Sequence, residues 1–218
     1  MTSATATIPD LIRTLAAAVP FAASDDLPPI ACVRIEAGGG ALTATATNRY
    51  IAAHVRTKAT GELGPTFVPT EHATALLDFL KGSRSRDRIT GGSALAEVSV
   101  ADGALCITAD GAALTVPTAQ RAEWPEPVDA AFADGPTQNS SALGGPIAIN
   151  LKWLHQIHAA TDTSFDIPAV LSFSGPRGMV RVEIGDWFMA IVMPMQRLPK
   201  SGPVPFGIPA PKLEAATC

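Results

Sequence analysis

The stretch Trp187-Phe188-Met189-Ala190-Ile191-Val192-Met193-Pro194-Met195-Gln196-Arg197-Leu198 decides how this sequence is interpreted. It runs from an apolar, strand-like segment into a Met-Pro-Met step and then to one basic residue. Proline has no amide hydrogen to donate to a sheet, so we expect Pro194 at a strand end or edge. Met193 and Met195 would then place flexible side chains at the sheet margin, where they suit a binding groove. Taken alone, the stretch is more typical of a last strand whose methionines fill the core.

Composition places the chain among globular proteins. It has 218 residues, of which 47% are hydrophobic and 17% charged. No charge-free apolar run approaches the about 18 residues of a membrane span, and the N-terminus lacks the pattern of a signal peptide. The three cysteines, Cys32, Cys106 and Cys218, are widely spaced, which is typical of a reducing compartment. We therefore expect a cytoplasmic protein.

The charge balance limits how the chain can contact nucleic acid. The formal net charge is −4, whereas a protein that grips DNA tightly through its phosphates is usually basic. Any contact with DNA must therefore be local, or must depend on enclosure of the DNA instead of affinity.

A helix followed by three strands recurs along the chain. The predicted helices cover residues 8–19, 70–80 and 151–158. The predicted strands cover residues 30–36, 42–47, 50–56, 94–100, 105–109, 113–117, 147–149, 170–174, 179–184 and 187–193. Recurrence every 60 to 80 residues, on the order expected of repeats, predicts units that pack against one another because none can bury its sheet alone.

Three motifs carry a resemblance to a known family. Residues 42–53, LTATATNRYIAA, resemble the Ala-Thr-Asp-x-x-Arg-Leu-Ala segment of bacterial sliding clamps, the beta subunit of DNA polymerase III. Trp124-Pro125-Glu126-Pro127 resembles the Phe-Pro-x-x step of their middle domain. Residues 192–198 are similar to the Val-Met-Pro-Met-Arg-Leu with which they end. The resemblance runs from about residue 8 to residue 198 and points to a shortened, phage-type clamp.

The resemblance implies an α+β fold of sliding-clamp repeats, with helices lining a central hole and antiparallel strands outside. Residues 1–127 resemble the middle clamp domain with two units, residues 128–145 read as a linker, and residues 146–198 resemble half of the last domain. Residues 199–218 form a Pro-rich tail beyond the resemblance. Because family rings contain twelve units, three units per chain predict a homotetramer.

The resemblance also implies a function. Such a ring encircles duplex DNA without regard to sequence and tethers DNA polymerase and clamp-loader peptides through a hydrophobic groove. Short extended peptides with a glutamine head and apolar anchors suit that groove. Ile51 and Ala52 stand where the family has Arg and Leu, which predicts a wider, less polar pocket. The residues that match the family's groove are Thr47, Arg49, Tyr50, Ile51, Ala52, Pro125, Val180, Val182, Ile191, Val192, Met193, Pro194, Met195 and Arg197.

Basic residues near the helices are the candidates for contact with DNA. They are Arg13 on the first helix, Lys81, Arg84, Arg86 and Arg88 after the second, and Lys152 on the third. The run from 81 to 88 could meet phosphates or be a solvated loop. Glu71 and Asp78 on the second helix count against tight DNA contact.

Two alternatives remain open. A clamp-like adaptor or decoy would bind the same peptides without forming a ring, and the tail could fold back over the groove.

His155 and His158 have a spacing that could hold a metal, but no carboxylate or cysteine accompanies them. No phosphate loop, nucleophile elbow or dinucleotide fingerprint is present in the sequence. We therefore expect no metal, no cofactor, no catalytic residue and no enzymatic activity.

Overall fold

The computed structural model describes residues 2–24, 27–90, 94–119, 124–133, 148–161, 167–173 and 178–195. Within these ranges the chain forms twelve strands and four α-helices. The first part comprises β1 (Thr2–Thr7), α1 (Ile8–Ala18), β2 (Cys32–Gly38), β3 (Ala41–Thr47), β4 (Ile51–Lys58), β5 (Thr60–Gly61), β6 (Leu63–Pro69), α2 (Thr70–Thr90), β7 (Leu95–Ala101), β8 (Ala104–Ala109) and β9 (Ala112–Pro117). The remainder comprises α3 (Glu126–Ala133), α4 (Leu151–Thr161), β10 (Ala169–Phe173), β11 (Val180–Ile184) and β12 (Phe188–Val192).

The strands form two sheets in which neighbouring strands are antiparallel. The five-stranded sheet has the order β5-β1-β7-β8-β9, and the seven-stranded sheet has the order β10-β11-β12-β4-β3-β2-β6. The expected combination of helices with antiparallel strands is therefore confirmed. Asp102-Gly103 and Asp110-Gly111 connect β7 to β8 and β8 to β9, and all four have positive φ. This conformation is required at both central positions of type I′ hairpin turns, which explains the Asp-Gly pairs.

Helix α1 forms because its sequence provides both a cap and an apolar face. The Thr7 hydroxyl accepts a hydrogen bond from the Asp10 amide at 3.2 Å, as expected of an N-cap residue. Leu11, Ile12 and Leu15 recur at helical spacing and are buried. The helix thus packs one face on β3 and β4 and also contacts α2.

The first strand of each of the two leading segments pairs with the other segment. Strand β1 pairs with β7, and β6 pairs with β2. The hydrogen bonds at the two helix starts correspond, since the Ile8 amide donates to the Ala94 carbonyl at 3.0 Å and the Thr70 amide donates to the Ala31 carbonyl at 3.1 Å. This exchange ties the two segments into one body.

The last segment of the chain, from β10 to β12, extends the seven-stranded sheet. Strand β12 pairs with β4 from Phe188 opposite Val55 to Val192 opposite Ile51. The centroid of the Phe188 ring also lies 6.0 Å from the ring centroid of Phe21, which follows α1. Residues about 140 positions apart in sequence therefore share one core, and one end of this composite sheet carries the candidate site.

Helix α2 is longer than the sequence pattern predicted. It continues to Thr90, so the basic run that begins at Lys81 is helical and its interpretation as a loop is wrong. Lysine, arginine and serine are compatible with a helix, and one glycine is tolerated at a cost of about 1 kcal/mol. Ser83, which follows the glycine, donates its hydroxyl to the Phe79 carbonyl one turn earlier at 3.2 Å.

Other predicted boundaries also differ from the structure. Residues 128–133 of the expected linker belong to α3. The strand predicted over residues 147–149 is represented by an isolated bridge from Ala148 to Met195. The rest of the expected linker up to residue 145, and the tail at 199–218, lie outside the described residues.

Candidate peptide-binding site

The turn between β3 and β4 forms a rigid corner at one end of the seven-stranded sheet. The Thr47 hydroxyl donates to the Ile51 carbonyl at 3.1 Å, and the Asn48 side-chain oxygen accepts from the amides of Tyr50 and Ile51, both at 3.1 Å. Arg49 adopts a φ of 78°, in the left-handed region that most residues avoid. These bonds fix the turn so that Ile51 is buried while the Tyr50 side chain is 60% exposed.

The end of β12 attaches to this turn. The Met193 amide donates to the Tyr50 carbonyl at 2.8 Å, directly after the last residue of the strand. Pro194 follows outside the strand, which confirms the prediction that it lies at a strand end. The Met195 amide then donates to the Ala148 carbonyl at 2.8 Å. The side chains of Met193 and Met195 are 47% and 54% exposed, so neither fills the core.

Helix α3 provides the opposite wall and is fixed to the sheet by side chains. Its Asp129 carboxylate accepts hydrogen bonds from the Arg34 guanidinium on β2 and, at 3.3 Å, from the Trp124 indole. The centroid of the Trp124 ring lies 5.6 Å from the centroid of the Phe67 ring on β6. The centroid of the Phe132 ring on α3 lies 5.2 Å from the centroid of the His54 imidazole on β4. These contacts cross three strands and hold the helix in one position.

These three elements enclose a mainly apolar cavity, which we call the groove. Its volume is about 290 Å³, which is at the lower end of the range for small-molecule sites and suits a few side chains of a peptide. Arg49 is the one lining residue with a charge. The lining residues are Ile30, Thr47, Arg49, Tyr50, Ile51, Ala52, Pro125, Pro127, Val128, Ala131, Ile191 and Met193.

The structure brings together most of the residues that the sequence predicted for this site. Those that line the groove are Thr47, Arg49, Tyr50, Ile51, Ala52, Pro125, Ile191 and Met193. Pro194 and Met195 lie just beyond Met193 in the chain and do not line the groove. Arg197 lies outside the described residues.

Val180, Val182 and Val192 have a different place. They are fully or almost fully buried in the core and do not line the groove. Val180 pairs with Val192, and Arg181 pairs with Ile191. Because successive side chains point to opposite faces of a sheet, the face that carries Ile191 toward the groove turns these valines toward the helices.

Four groove residues were missed by the sequence reasoning, namely Ile30, Pro127, Val128 and Ala131. The last three belong to α3, whose apolar residues Val128, Ala131 and Phe132 have helical spacing. That signal lies within a segment whose alanine-, glycine- and proline-rich composition indicated a linker. Trp153 on α4 was also missed, and its ring stacks on the exposed Tyr50 ring at 6.1 Å between centroids and 15° between planes.

A half-buried histidine, His54, lies beneath α3. The Nδ1 atom of His54 is 2.9 Å from the Thr45 hydroxyl, and its ring meets Phe132. Burial lowers the pKa of His54; nearby charges act in both directions, with Arg34 and Arg56 lowering it and Glu36 and Asp129 raising it. The imidazole is therefore neutral at neutral pH, which suits its contact with an aromatic ring.

The thiol of Cys32, at the start of β2, is similarly un-ionised. Burial raises the pKa of Cys32 to about 11, so the thiolate that nucleophilic chemistry needs is scarce at neutral pH. Among the described residues no group of three histidine, cysteine, aspartate or glutamate side chains is placed to hold a metal ion. His155 and His158 are both exposed on α4.

Each predicted DNA-contact residue whose side chain the structure describes lies close to a carboxylate or an aromatic ring. Arg13 forms an ion pair with Asp10 at 3.1 Å and lies 5.0 Å from the Trp187 ring centre. Lys81 forms an ion pair with Asp78 at 3.4 Å. Lys152 lies 5.3 Å from the centre of the Trp153 ring, which stacks on Tyr50. Arg84, Arg86 and Arg88 belong to α2, but their side chains lie outside the described part of the structure.

Solved structures of sliding clamps are similar to this fold. The structures include the sliding clamp of DNA polymerase from Pseudomonas aeruginosa with a ligand, at 14% identity and a TM-score of 0.67, covering 91% of this chain and 66% of that chain. Another is DNA polymerase III subunit beta from Bartonella birtlesii bound to griselimycin, at 12% identity and a TM-score of 0.71, covering 92% of this chain and 66% of that chain. The beta subunit of DNA polymerase III from Thermotoga maritima matches at 13% identity and a TM-score of 0.66, covering 91% of this chain and 65% of that chain.

Because the sequence identities are low, these comparisons establish the fold alone. The chain spans just under two thirds of the length of the solved clamps named above. No family model matches the sequence, and no curated protein matches it. In the described part of the chain, no helix has the length and apolar character needed to cross a membrane.

Proposed function

We propose that this protein is a DNA sliding clamp, a cytoplasmic processivity factor that encircles duplex DNA and tethers a DNA polymerase. The observation that carries the proposal is the groove, an apolar cavity at the junction of the β3–β4 turn, the end of β12 and α3. The motifs that resemble clamp sequences meet there, although they lie far apart in the chain. The likeness of the fold to sliding clamps over 91% of the chain supports the same conclusion.

The groove is suited to short, extended peptides. Its apolar lining would receive one or two apolar side chains, and burial of such a side chain contributes about 1.5–3 kcal/mol. The exposed Tyr50 ring and the Met193 side chain border the cavity, where an aromatic ring and an adaptable thioether can adjust to different partners. Polymerase and clamp-loader segments are the partners that we propose for it.

The proposed action on DNA is physical and includes no catalytic step. Enclosure allows weak contacts with the DNA backbone, which suits a chain with a net charge of −4. Two of the basic residues proposed to face DNA, Arg13 and Lys81, are also paired with carboxylates. A polymerase held in the groove would rebind DNA before it diffuses away, because tethering raises its effective concentration. The residues proposed to face DNA are Arg13, Lys81, Arg84, Arg86, Arg88 and Lys152.

The proposed assembly is a ring of four chains with three repeat units each. Light scattering after size exclusion should give the mass of a tetramer, and small-angle X-ray scattering should give the distance distribution of a hollow particle. A compact monomer without a hole would overturn the ring while leaving the groove to be tested by itself.

A second candidate function is a clamp-like adaptor that binds the same peptides without enclosing DNA. The charge on α2 favours it, because Glu71 and Asp78 are both exposed on that helix, where a DNA-lining surface would prefer basic residues. Such an adaptor would bind peptides as a particle without a hole and would not distinguish circular from linear DNA.

A further inference from the structure

The groove has apolar side chains on its rim that are open to solvent. Within the described residues, Met193 and Tyr50 are 47% and 60% exposed, although both line the cavity. Contiguous exposed apolar surface commonly marks a place where a ligand or another segment binds. The groove is therefore suited to an occupant, and the chain itself contains a candidate for that role.

The described part of the chain ends at the rim of this groove. Met193 lines the cavity, and Met195 is the last described residue, held by the hydrogen bond from its amide to the Ala148 carbonyl at 2.8 Å. Two residues of chain span about 7 Å at most. Residues 196–218 follow and lie outside the described residues. Their starting point is thus fixed close to the lining of the groove.

A stretch of the tail without charge matches the character of the groove. Residues 201–211 have the sequence SGPVPFGIPAP, with no lysine, arginine, aspartate or glutamate. The larger apolar residues Val204, Phe206 and Ile208 occupy every second position, a spacing that places side chains on one side of an extended segment. The cavity is mainly apolar, and Arg49 is its one charged lining residue.

Prolines limit the conformations that this stretch can adopt before it binds. They occur at positions 203, 205, 209 and 211. A proline is excluded from the interior of a helix and biases the preceding residue toward extended backbone. A segment that already favours its bound conformation loses less conformational entropy on binding. Extended, proline-rich segments are among the peptides that apolar grooves accept.

The length of chain between the groove and the stretch permits it to return to its own groove. Ten residues separate Met193 from Val204, and a flexible linker of that length has a root-mean-square span of about 17 Å. Gly202 allows a reversal of direction, because glycine adopts turn conformations that other residues avoid. Short flexible linkers give effective concentrations in the millimolar range. A weak contact is therefore sufficient to occupy the groove.

We propose that residues 204–208 of the tail occupy the groove of their own chain and compete with external peptides. Phe206 is the main anchor in the apolar cavity, and Ile208 is the second. A partner gains the groove only when its local concentration exceeds that of the tail. A polymerase held on the same DNA has a raised local concentration, whereas a free peptide does not. The inference rests on the proposed function and specifies how its groove is regulated.

A labelled tail peptide tests this occupancy without a partner protein. The probe is a fluorescein-labelled peptide with the sequence of residues 200–212, and the full-chain variant F206S/I208S lacks its own anchors. We expect the probe to bind this variant with a dissociation constant of about 0.1 mM. It should bind the wild type about tenfold more weakly, because a tethered competitor at about 1 mM lowers the apparent affinity by that factor. The matched control L213S removes an apolar tail residue outside 204–208 and should behave as the wild type.

A charge in the cavity locates the contact. Adding V128E to F206S/I208S should abolish binding of the probe, whereas adding A130E, at an exposed position of α3 that does not line the groove, should preserve it. Circular dichroism should give all of these variants the wild-type spectrum. Equal binding of the probe to the wild type and to F206S/I208S, or binding that persists with V128E, would overturn the inference. A lower mass of F206S/I208S by light scattering would also overturn it, because the tail would then join different copies.

A second labelled peptide separates this inference from the proposed function. It has a glutamine followed by leucine and phenylalanine anchors and should bind F206S/I208S about tenfold more tightly than the wild type. If it binds both chains equally and the tail peptide binds neither, the proposed function stands and the inference falls. If the tail peptide binds as expected and the second peptide binds neither chain, the inference stands and the proposed partners fall.

Discussion

The groove is an apolar surface shaped by fixed backbone, whereas the exposed faces of α1 and α2 are polar and carry opposite charges side by side. Hydrogen bonds in and beside the β3–β4 turn hold the groove in shape. On the helices, Arg13 pairs with Asp10 and Lys81 pairs with Asp78. A preformed apolar cavity favours selective contact with particular side chains, while exposed ion pairs contribute little. The two regions thus differ in the way that the two proposed contacts require, a selective one with protein and an unselective one with DNA.

The largest expected effect is a charge placed in the groove. Val128→Glu would put a carboxylate on the α3 wall, where burial without a partner costs about 2 kcal/mol or more, on the order of 30-fold in affinity. The measurement is fluorescence anisotropy with a labelled peptide that has a glutamine followed by leucine and phenylalanine anchors.

Ala130→Glu is the matched control for this charge. Ala130 is exposed on α3 and does not line the groove, so its substitution should leave peptide affinity within about twofold of the wild type. Equal losses in both variants would mean that the peptide does not enter the cavity.

A smaller effect is expected at the rim. Tyr50→Ala removes both a lining side chain and the stack on Trp153, worth about 0.5–1.5 kcal/mol beyond burial, so we expect about a tenfold loss of affinity for the same peptide. Tyr50→Phe keeps the ring and should bind almost as well as the wild type. A loss of affinity in Tyr50→Phe that matches the loss in Tyr50→Ala would show that the hydroxyl, and not the ring, makes the contact.

Acid should weaken the groove region through His54. Because burial lowers the pKa of His54 in the folded state, the unfolded state takes up a proton first as the pH falls below about 6.5. Stability contributed by the neutral imidazole is present above that pH and is lost as the pH falls toward the folded-state pKa. Urea unfolding at neutral and mildly acidic pH should show this decline, and His54→Gln should make it smaller. An unchanged slope in His54→Gln would assign the acid sensitivity to other groups.

The smallest effect is expected on the helix face. Arg13→Ala removes a cation whose charge Asp10 already offsets, so the salt concentration that releases the protein from DNA should change by less than about twofold. Asp10→Asn leaves Arg13 without its carboxylate partner and should raise that salt concentration. The same release point in both variants would exclude α1 from the DNA contact.

The sequence supported many of the elements but not the pairing that joins them. Helix α1 and the Asp-Gly hairpins follow from local patterns. Strand β1 does not, because Thr2–Thr7 alternates alanine with serine and threonine and becomes a strand through pairing with β7, more than 85 residues away. Distant partners of this kind are not encoded in local propensity.

For the groove, the motifs identified the correct end of the sheet but not which side chains face it. Val192 and Ile191 are neighbours in one motif, yet one is core and the other lines the groove. A shift of one residue in register exchanges the two faces of a strand, so the β4–β12 pairing had to be known first. Helix α3 was hidden because its helical spacing covers few residues and is surrounded by a linker-like composition.

The central claim is enclosure of DNA, and retention on circular DNA tests it most directly. The chain would be assembled from dissociated subunits in the presence of nicked circular duplex DNA and separated by gel filtration at moderate salt, before and after the DNA is linearised. We predict that the protein travels with the circular DNA and is lost when the ends are opened, because a ring slides off a linear molecule. Equal retention on both forms, or on neither, would contradict the proposed clamp.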